Sequence, residues 1–103
     1  METTPEEDEV FNHMSVTDTL TERGKRYGAF TGHAEISQSL KALIERYAHD
    51  RECCLSPDQA EALEMIAHKI ARILNGDPDY ADSWHDIAGY AQLVADRLNG
   101  IER

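Results

Sequence analysis

The sequence predicts an all-α domain that resembles a four-helix bundle. Three segments carry apolar residues three or four positions apart, the spacing by which a helix buries one side, and a shorter first helix is predicted from a capping residue. No useful stretch alternates apolar and polar residues as a half-buried strand does. A chain of 103 residues is long enough for one core and too short for two. We therefore predict one helical domain over residues 13–103, after an acidic flexible tail at residues 1–12.

The first predicted helix begins near Ser15 or Thr17 and ends near Arg26. Either hydroxyl can cap the helix by accepting a hydrogen bond from a backbone N–H of the first turn. The glycine-rich stretch Tyr27-Gly28-Ala29-Phe30-Thr31-Gly32 follows. Because it contains two aromatic rings, we expect an ordered loop that buries them.

The second helix is predicted from an apolar stripe and ends near His49 or Asp50. Its stripe recurs with the helical period and consists of Ile36, Leu40, Leu43, Ile44 and Tyr47. We expect this side of the helix to face the core.

The third helix opens with Ser56-Pro57-Asp58-Gln59, in which Ser caps, Pro occupies the first turn and Gln completes a capping box. Asn75-Gly76 predicts a left-handed C-terminal stop. The stripe expected to face the core is Leu63, Ile66, Ala67, Ile70, Ile73 and Leu74.

The fourth helix is predicted from about Tyr80 to Asn99, after a break at Pro78. Its core stripe is Trp84, Ile87, Ala88, Ala91, Val94, Ala95 and Leu98. A second partly apolar strip contains Tyr90 and Leu93. A helix with two such faces lies in the middle of a bundle or in a subunit interface, and we predict a homodimer as the simplest closed assembly.

The composition excludes several classes of function. A net charge of −10 opposes binding to DNA or RNA polymers, which need a basic surface. No apolar run is long enough to span a membrane and the acidic N-terminus does not resemble a signal peptide, so we expect a cytoplasmic protein. Cys53 and Cys54 are sequence neighbours, a poor arrangement for a disulfide, and are expected to be reduced.

Four acidic residues are the candidates for chemistry. Glu61 and Glu64 lie one turn apart on the third helix, and Asp82 and Asp86 lie one turn apart on the fourth. Carboxylate oxygens are ligands that Mg²⁺ favours, together with water and substrate phosphates. If the two helices are neighbours, these side chains could converge on one cation.

The same residues have simpler interpretations. Glu61 and Glu64 could solvate the edge of an amphipathic helix, and Asp82 could complement the helix dipole. Asp86 lies beyond the first turn and between apolar neighbours, so it needs a partner, and this could be a metal ion or a basic side chain such as Lys69 or Arg72.

Histidines do not form a spacing typical of zinc sites. We expect His13, His33 and His49 to lie at the surface or at helix ends, whereas His68 and His85 are close in sequence to the acidic residues.

The motifs resemble those of a known family. Glu61-x-x-Glu64, followed by an acidic helix start and Asp86-Ile87-Ala88-Gly89-Tyr90, resembles the all-α nucleoside triphosphate pyrophosphatases of the MazG and dUTPase type. Those enzymes bind Mg²⁺ between Glu-x-x-Glu on one helix and Glu-x-x-Asp on the next. Over residues 16–98 the chain is also similar to small uncharacterised phage and prophage proteins, through Arg23-x-x-x-Tyr27-Gly28, Lys69-Ile70-Ala71-Arg72 and Asp82-x-x-x-Asp86.

The resemblance implies a Mg²⁺-dependent nucleoside triphosphate pyrophosphohydrolase, or a degenerate relative that binds nucleotides without turnover. Glu64 and Asp86 would then be catalytic, and the metal ligands would be Glu61, Glu64, Asp82 and Asp86. The residues implied to contact the nucleotide are Lys69, Arg72, Lys25, Arg26 and Tyr27. The sequence departs from the enzymes in having Asp-x-x-x-Asp on the fourth helix, which moves one ligand around the helix.

A different class of function remains open. The chain could be a small acidic helical protein of phage type that binds a host protein, with its carboxylates serving as surface charge or as a mimic of DNA, whose charges would be spread over a surface. The sequence favours the nucleotide hypothesis, because the charges outside the tail concentrate at helix ends and around the acidic pairs.

Overall fold

The computed structural model describes residues 15–103, which form four α-helices and no strand. The all-α prediction with four helices is confirmed for this part of the chain. The acidic tail predicted for residues 1–12 lies outside the described residues. The helices are α1 (Val16–Tyr27), α2 (Phe30–Asp50), α3 (Pro57–Asn75) and α4 (Ala81–Leu98).

Helix α3 is the centre of the fold. It packs against α2 on one side and α4 on the other, α1 makes smaller contacts with α2 and α3, and among these four helices α2 and α4 do not contact each other. Contacts between Asp58 and Arg97, and between Lys69 and Asp86, show that α3 and α4 run antiparallel. The three long helices therefore form an open layer with α3 in the middle.

The predicted helix starts are confirmed in atomic detail. Ser15 Oγ accepts a hydrogen bond from the Asp18 N–H at 3.0 Å, which caps α1. The capping box of α3 is present, and Gln59 Oε1 accepts from the Ser56 N–H at 2.9 Å. The box is tied to the end of α4, because Arg97 donates to both Ser56 and Asp58.

The loop predicted after α1 is shorter than expected. Only Gly28 and Ala29 separate α1 from α2, and Phe30, predicted to be buried, has 77% of its surface exposed. The physical reason is Asn75, whose side-chain amide donates to the carbonyls of Tyr27 and Ala29 at 2.8 Å each. Because these hydrogen bonds satisfy the two backbone carbonyls of the turn, the chain can pass from α1 to α2 within two residues.

The left-handed stop predicted at Gly76 is wrong, because this residue has a φ of −131°. Glycine is required there by space. A Cβ at Gly76 would clash with the backbone of Arg26 and Tyr27, and the next N–H, of Asp77, donates to the Arg26 carbonyl at 2.8 Å. The end of α3 and the end of α1 therefore lie backbone against backbone.

Few apolar side chains are buried among residues 15–103. The buried ones in this range all belong to α3, and they are Ala62, Ala67, Ala71 and Ile73. The core stripe predicted for α4 is wrong within the described residues, since Trp84 and Leu98 are 55% and 59% exposed. The side of α4 that faces α3 instead contains the buried Ser83 and the polar residues Asp86 and Arg97, which bind side chains of α3.

Two glycine substitutions test the close approach of α1 and α3. We expect Gly76→Ala to destabilise the protein by about 1–3 kcal/mol, because backbone atoms must move apart. In Gly89→Ala, nothing lies within 4 Å of the added Cβ, so we expect stabilisation by about 0.5–1 kcal/mol from the helical propensity of alanine. Urea unfolding of both variants measures the difference. Equal effects would contradict the account of Gly76.

Candidate functional site

The acidic residues are distributed over separate places. Asp86 forms an ion pair with Lys69, with 3.1 Å between Lys69 Nζ and Asp86 Oδ2. The Lys69 side chain is 11% exposed and the Asp86 side chain 43%. Of the two partners considered for Asp86, the structure therefore shows the basic side chain, and Lys69 serves the packing of α3 on α4.

The other three predicted metal ligands do not join Asp86. Glu61 and Glu64 are exposed on α3, and Asp82, in the first turn of α4, accepts a hydrogen bond from the Tyr80 hydroxyl at 3.0 Å. At about 100° per residue, Glu64 lies about 140° around α3 from Lys69, away from α4. Within residues 15–103, no three His, Cys, Asp or Glu side chains group together in a way that could hold a metal ion. The four carboxylates as they lie do not fit a shared Mg²⁺.

Two of the predicted nucleotide contacts meet at the junction of α1 and α3. The guanidinium of Arg72 lies 4.0 Å from the centre of the Tyr27 ring, a cation–π contact. The Tyr27 ring also packs edge-on against Tyr80, at 6.1 Å between centres. Arg26 stacks on the Tyr80 ring at 4.4 Å.

Tyr27 and Arg72 line a cavity of about 390 Å³ between α1, α2 and α3, which we call the α1–α3 cavity. Lys25, Arg26 and Lys69 are not among its lining residues. Its wall combines two arginines, two histidines, aromatic rings and small residues. The lining consists of Leu20, Arg23, Gly24, Tyr27, Gly28, Ala29, Phe30, His33, His68 and Arg72.

Two histidines that contact each other, His33 and His68, line this cavity. His33 Nε2 lies 3.3 Å from His68 Nδ1, so one ring donates to the other. His33 Nδ1 has no hydrogen-bond partner among the described residues. His33 lies in the first turn of α2, near a helix end as predicted, but it is 6% exposed, so the alternative of a surface position is wrong. The reason is that the short Gly28-Ala29 turn points the first turn of α2 towards α3.

Burial sets the charge of this pair. Loss of water lowers the pKa of His33, and the positive charge of Arg72 lowers it further. Burial also lowers the pKa of His68 to about 4, with smaller contributions from His33 and Arg72. Both imidazoles are therefore neutral at pH 7, and the positive charge of the α1–α3 cavity comes from Arg23 and Arg72.

The cavity has the chemistry of a site for an anion that carries a flat apolar group. A guanidinium group can donate two parallel hydrogen bonds to two oxygens of a phosphate or carboxylate, and the faces of the aromatic rings can stack on a flat apolar group. Sequence reasoning missed His33 and His68, because their contact joins residues 35 positions apart. The available signal was that His68 and Arg72 are one turn apart on the same side of α3.

No helix in residues 15–103 combines the length and apolar character needed to cross a membrane. Residues 15–98, which contain every residue that lines the α1–α3 cavity, match the family described as Domain of unknown function (DUF6378). No curated protein and no solved structure matches the chain.

The neutral histidine pair predicts a pH dependence of stability. Since the pKa of His68 falls from 6.5 to about 4 on folding, the unfolded chain binds more protons between these values. We expect the contribution of neutral His68 to the free energy of unfolding to be fully present above about pH 6.5 and to be lost as the pH falls towards 4. In His68→Asn, the loss of stability between about pH 7 and about pH 5 should be smaller than in the wild type.

Urea unfolding at the two pH values measures this difference, and His49→Asn, at an exposed position at the end of α2, is the control. An unchanged pH dependence in His68→Asn would show that this ring is not held neutral by the fold.

Proposed function

The chain belongs to the DUF6378 family, and we propose that it is a nucleotide-binding protein whose ligand occupies the α1–α3 cavity. The observation that carries this proposal is the placement of two guanidinium groups and two aromatic rings around one cavity. In a chain with a net charge of −10, such a concentration of positive charge favours an anionic ligand locally.

The phosphates of the nucleotide would contact Arg23 and Arg72. Arg72 is held over the Tyr27 ring at 4.0 Å, and a stacked guanidinium keeps the N–H groups around its edge available for oxygen ligands. Arg23 lies one turn before Tyr27 on α1, at the exposed side of the same cavity. The two charges can therefore approach a phosphate group from different helices.

The base would lie against Phe30 at the rim of the cavity. This ring is 77% exposed, and Leu20, also a lining residue, is 60% exposed, so a stacked base would remove apolar surface from water. Neutral His68 can offer a donor or an acceptor to a polar edge. A volume of about 390 Å³ lies within the usual size of small-molecule sites.

The proposal takes up the degenerate, nucleotide-binding form of the MazG-like hypothesis. It includes the MazG-like relationship and a phage or prophage origin, which the sequence motifs support. It also includes a cytoplasmic location, supported by the lack of a membrane-spanning run or signal-peptide pattern, and a homodimer, supported by the two partly apolar faces of α4. Binding without turnover is favoured over hydrolysis because Lys69 neutralises Asp86, one of the two expected catalytic residues.

Mg²⁺-dependent pyrophosphohydrolysis is the second candidate. The observation in its favour is that Asp86 remains 43% exposed and borders a shallow groove of about 520 Å³ on the outer side of α4, beside Gly89 and Tyr90. For this activity the ion pair with Lys69 would have to open.

Calorimetric titration with a panel of nucleoside triphosphates tests the binding proposal. We expect binding by the wild type with or without Mg²⁺, and a loss of about tenfold or more in affinity in Arg72→Gln, which corresponds to about 1.4 kcal/mol. Arg46→Gln is the matched control, because Arg46 also stacks on a tyrosine, Tyr47, on a distant part of α2. Equal affinity in a folded Arg72→Gln, or no binding by the wild type, would exclude the proposed site.

An assay of pyrophosphate release separates the two candidates. With Asp86 bound to Lys69, we expect no Mg²⁺-dependent release above the rate without protein. Release that disappears in both Glu64→Gln and Asp86→Asn would establish the hydrolase instead. A chain that acts only by binding a host protein would show neither nucleotide binding nor hydrolysis and would keep its partner after these substitutions.

A further inference from the structure

We infer that two copies of the chain pack through one uncharged surface formed by α3 and α4. We call this surface the apolar face, and it consists of Leu63, Ile70 and Leu74 on α3 and Trp84, Ala91 and Leu98 on α4. The inference rests on the homodimer included in the proposed function and is independent of the ligand of the α1–α3 cavity.

On α3, the apolar face is a row of large side chains that one copy leaves uncovered. At about 100° per residue, Leu63, Ile70 and Leu74 lie within about 40° of one another around the helix. Their exposed fractions are 37%, 36% and 66%. Helix α3 is covered by α2 and α4 on its flanks, and this row lies between the two.

On α4, the face has the repeat of a helix–helix seam. Trp84, Ala91 and Leu98 recur every seven residues, and the exposed Ala88 and Ala95 lie between them on the same side. Small residues at these positions allow another helix to approach closely, while Trp84 and Leu98 provide large apolar surfaces at the two ends.

The two rows face the same side of the layer. Leu63 and Ile66 of α3 line one groove of about 340 Å³ together with Ala91 and Val94 of α4. The α4 row extends about 21 Å at 1.5 Å per residue, and two helices about 10 Å wide give a face of about 400 Å². An exposed apolar patch of about this size marks an interaction surface.

Helix α2 extends the face towards the size that a stable dimer needs. Leu43 and Tyr47 are 43% and 48% exposed, and the guanidinium groups of Arg46 and Arg51 lie over the Tyr47 ring, so the uncharged surface ends there. Leu43 lies about 140° around α2 from Phe30, which lines the α1–α3 cavity on the other side of the layer. A third helix width brings the face to about 600 Å², approaching the ~800 Å² that each partner contributes to a standard interface.

The occupant that fits this surface is a second copy. Among residues 15–103 the buried apolar side chains are three alanines and one isoleucine, so burial of the face against a second copy would add most of the apolar contact that stabilises this part of the chain. The chain has a net charge of −10, which opposes self-association, and an uncharged facing surface reduces this repulsion. The rows of α3 and α4 meet this condition, and a two-fold contact uses the same face twice.

Dimerisation through the apolar face leaves the α1–α3 cavity open. Ile70 and Arg72 are two residues apart, and their side chains therefore lie about 160° apart around α3. Because the two surfaces are on opposite sides of the central helix, loss of one function does not require loss of the other.

Sedimentation equilibrium tests the dimer. We expect the wild type to have twice the chain mass of 11.6 kDa, and Ala91→Arg to shift the equilibrium towards single chains. Leu93→Arg is the matched control, because Leu93 is also exposed, 49%, but lies about 160° around α4 from Ala91. A monomeric wild type, or an unchanged mass in Ala91→Arg, would overturn the inference.

A second measurement uses the wild type alone, in case Ala91→Arg does not fold. Trp84 is the single tryptophan of the chain, so its fluorescence reports directly on the apolar face. We expect blue-shifted emission that is protected from iodide in the dimer and moves to longer wavelength on dilution. Emission typical of water at every concentration would overturn the inference. If a monomeric wild type still binds nucleotide, the apolar-face dimer fails and the nucleotide-binding part of the proposed function stands.

Discussion

The structure depends on how α3 packs its two flanks. Its buried apolar residues are mainly alanines, so α2 and α4 can approach closely but gain little stability from apolar contact alone. Polar contacts fix the arrangement instead: His68 joins α2, Lys69 and Asp58 join α4, and Asn75 holds the turn between α1 and α2. A layer held in this way has two open sides, and those sides have different chemistry.

One side of α3 carries Arg72 and His68 and forms the α1–α3 cavity, while the other carries Ile70 and Leu74 and belongs to the apolar face. This division explains why a strongly acidic chain can concentrate arginine at one place and large exposed apolar residues at another. In our account, the first side binds the ligand and the second makes the domain stable. Lys69, between them, contributes to the packing of α4 and neutralises the carboxylate of Asp86.

Local signals in the sequence predicted the helices well. The features that the sequence did not predict depend on contacts between residues far apart in the chain. Ser15 and the Ser56–Gln59 box define helix starts through hydrogen bonds within four residues, so sequence alone was sufficient. The stripe that contains Trp84 has the helical period, but periodicity does not show which neighbouring surface covers such a stripe. His33 was expected at the surface or at a helix end, and its contact with His68, 35 positions away, was not visible in the sequence.

Two-dimensional NMR of the histidine side chains during titration with a nucleoside triphosphate shows which cavity the ligand enters. His68 lies in the α1–α3 cavity, whereas His85 lies in the groove beside Asp86, so the two rings report on the two candidate sites. We expect the imidazole signals of His33 and His68 to shift while that of His85 stays constant. Shifts of His85 with unchanged His33 and His68 would contradict a ligand in the α1–α3 cavity.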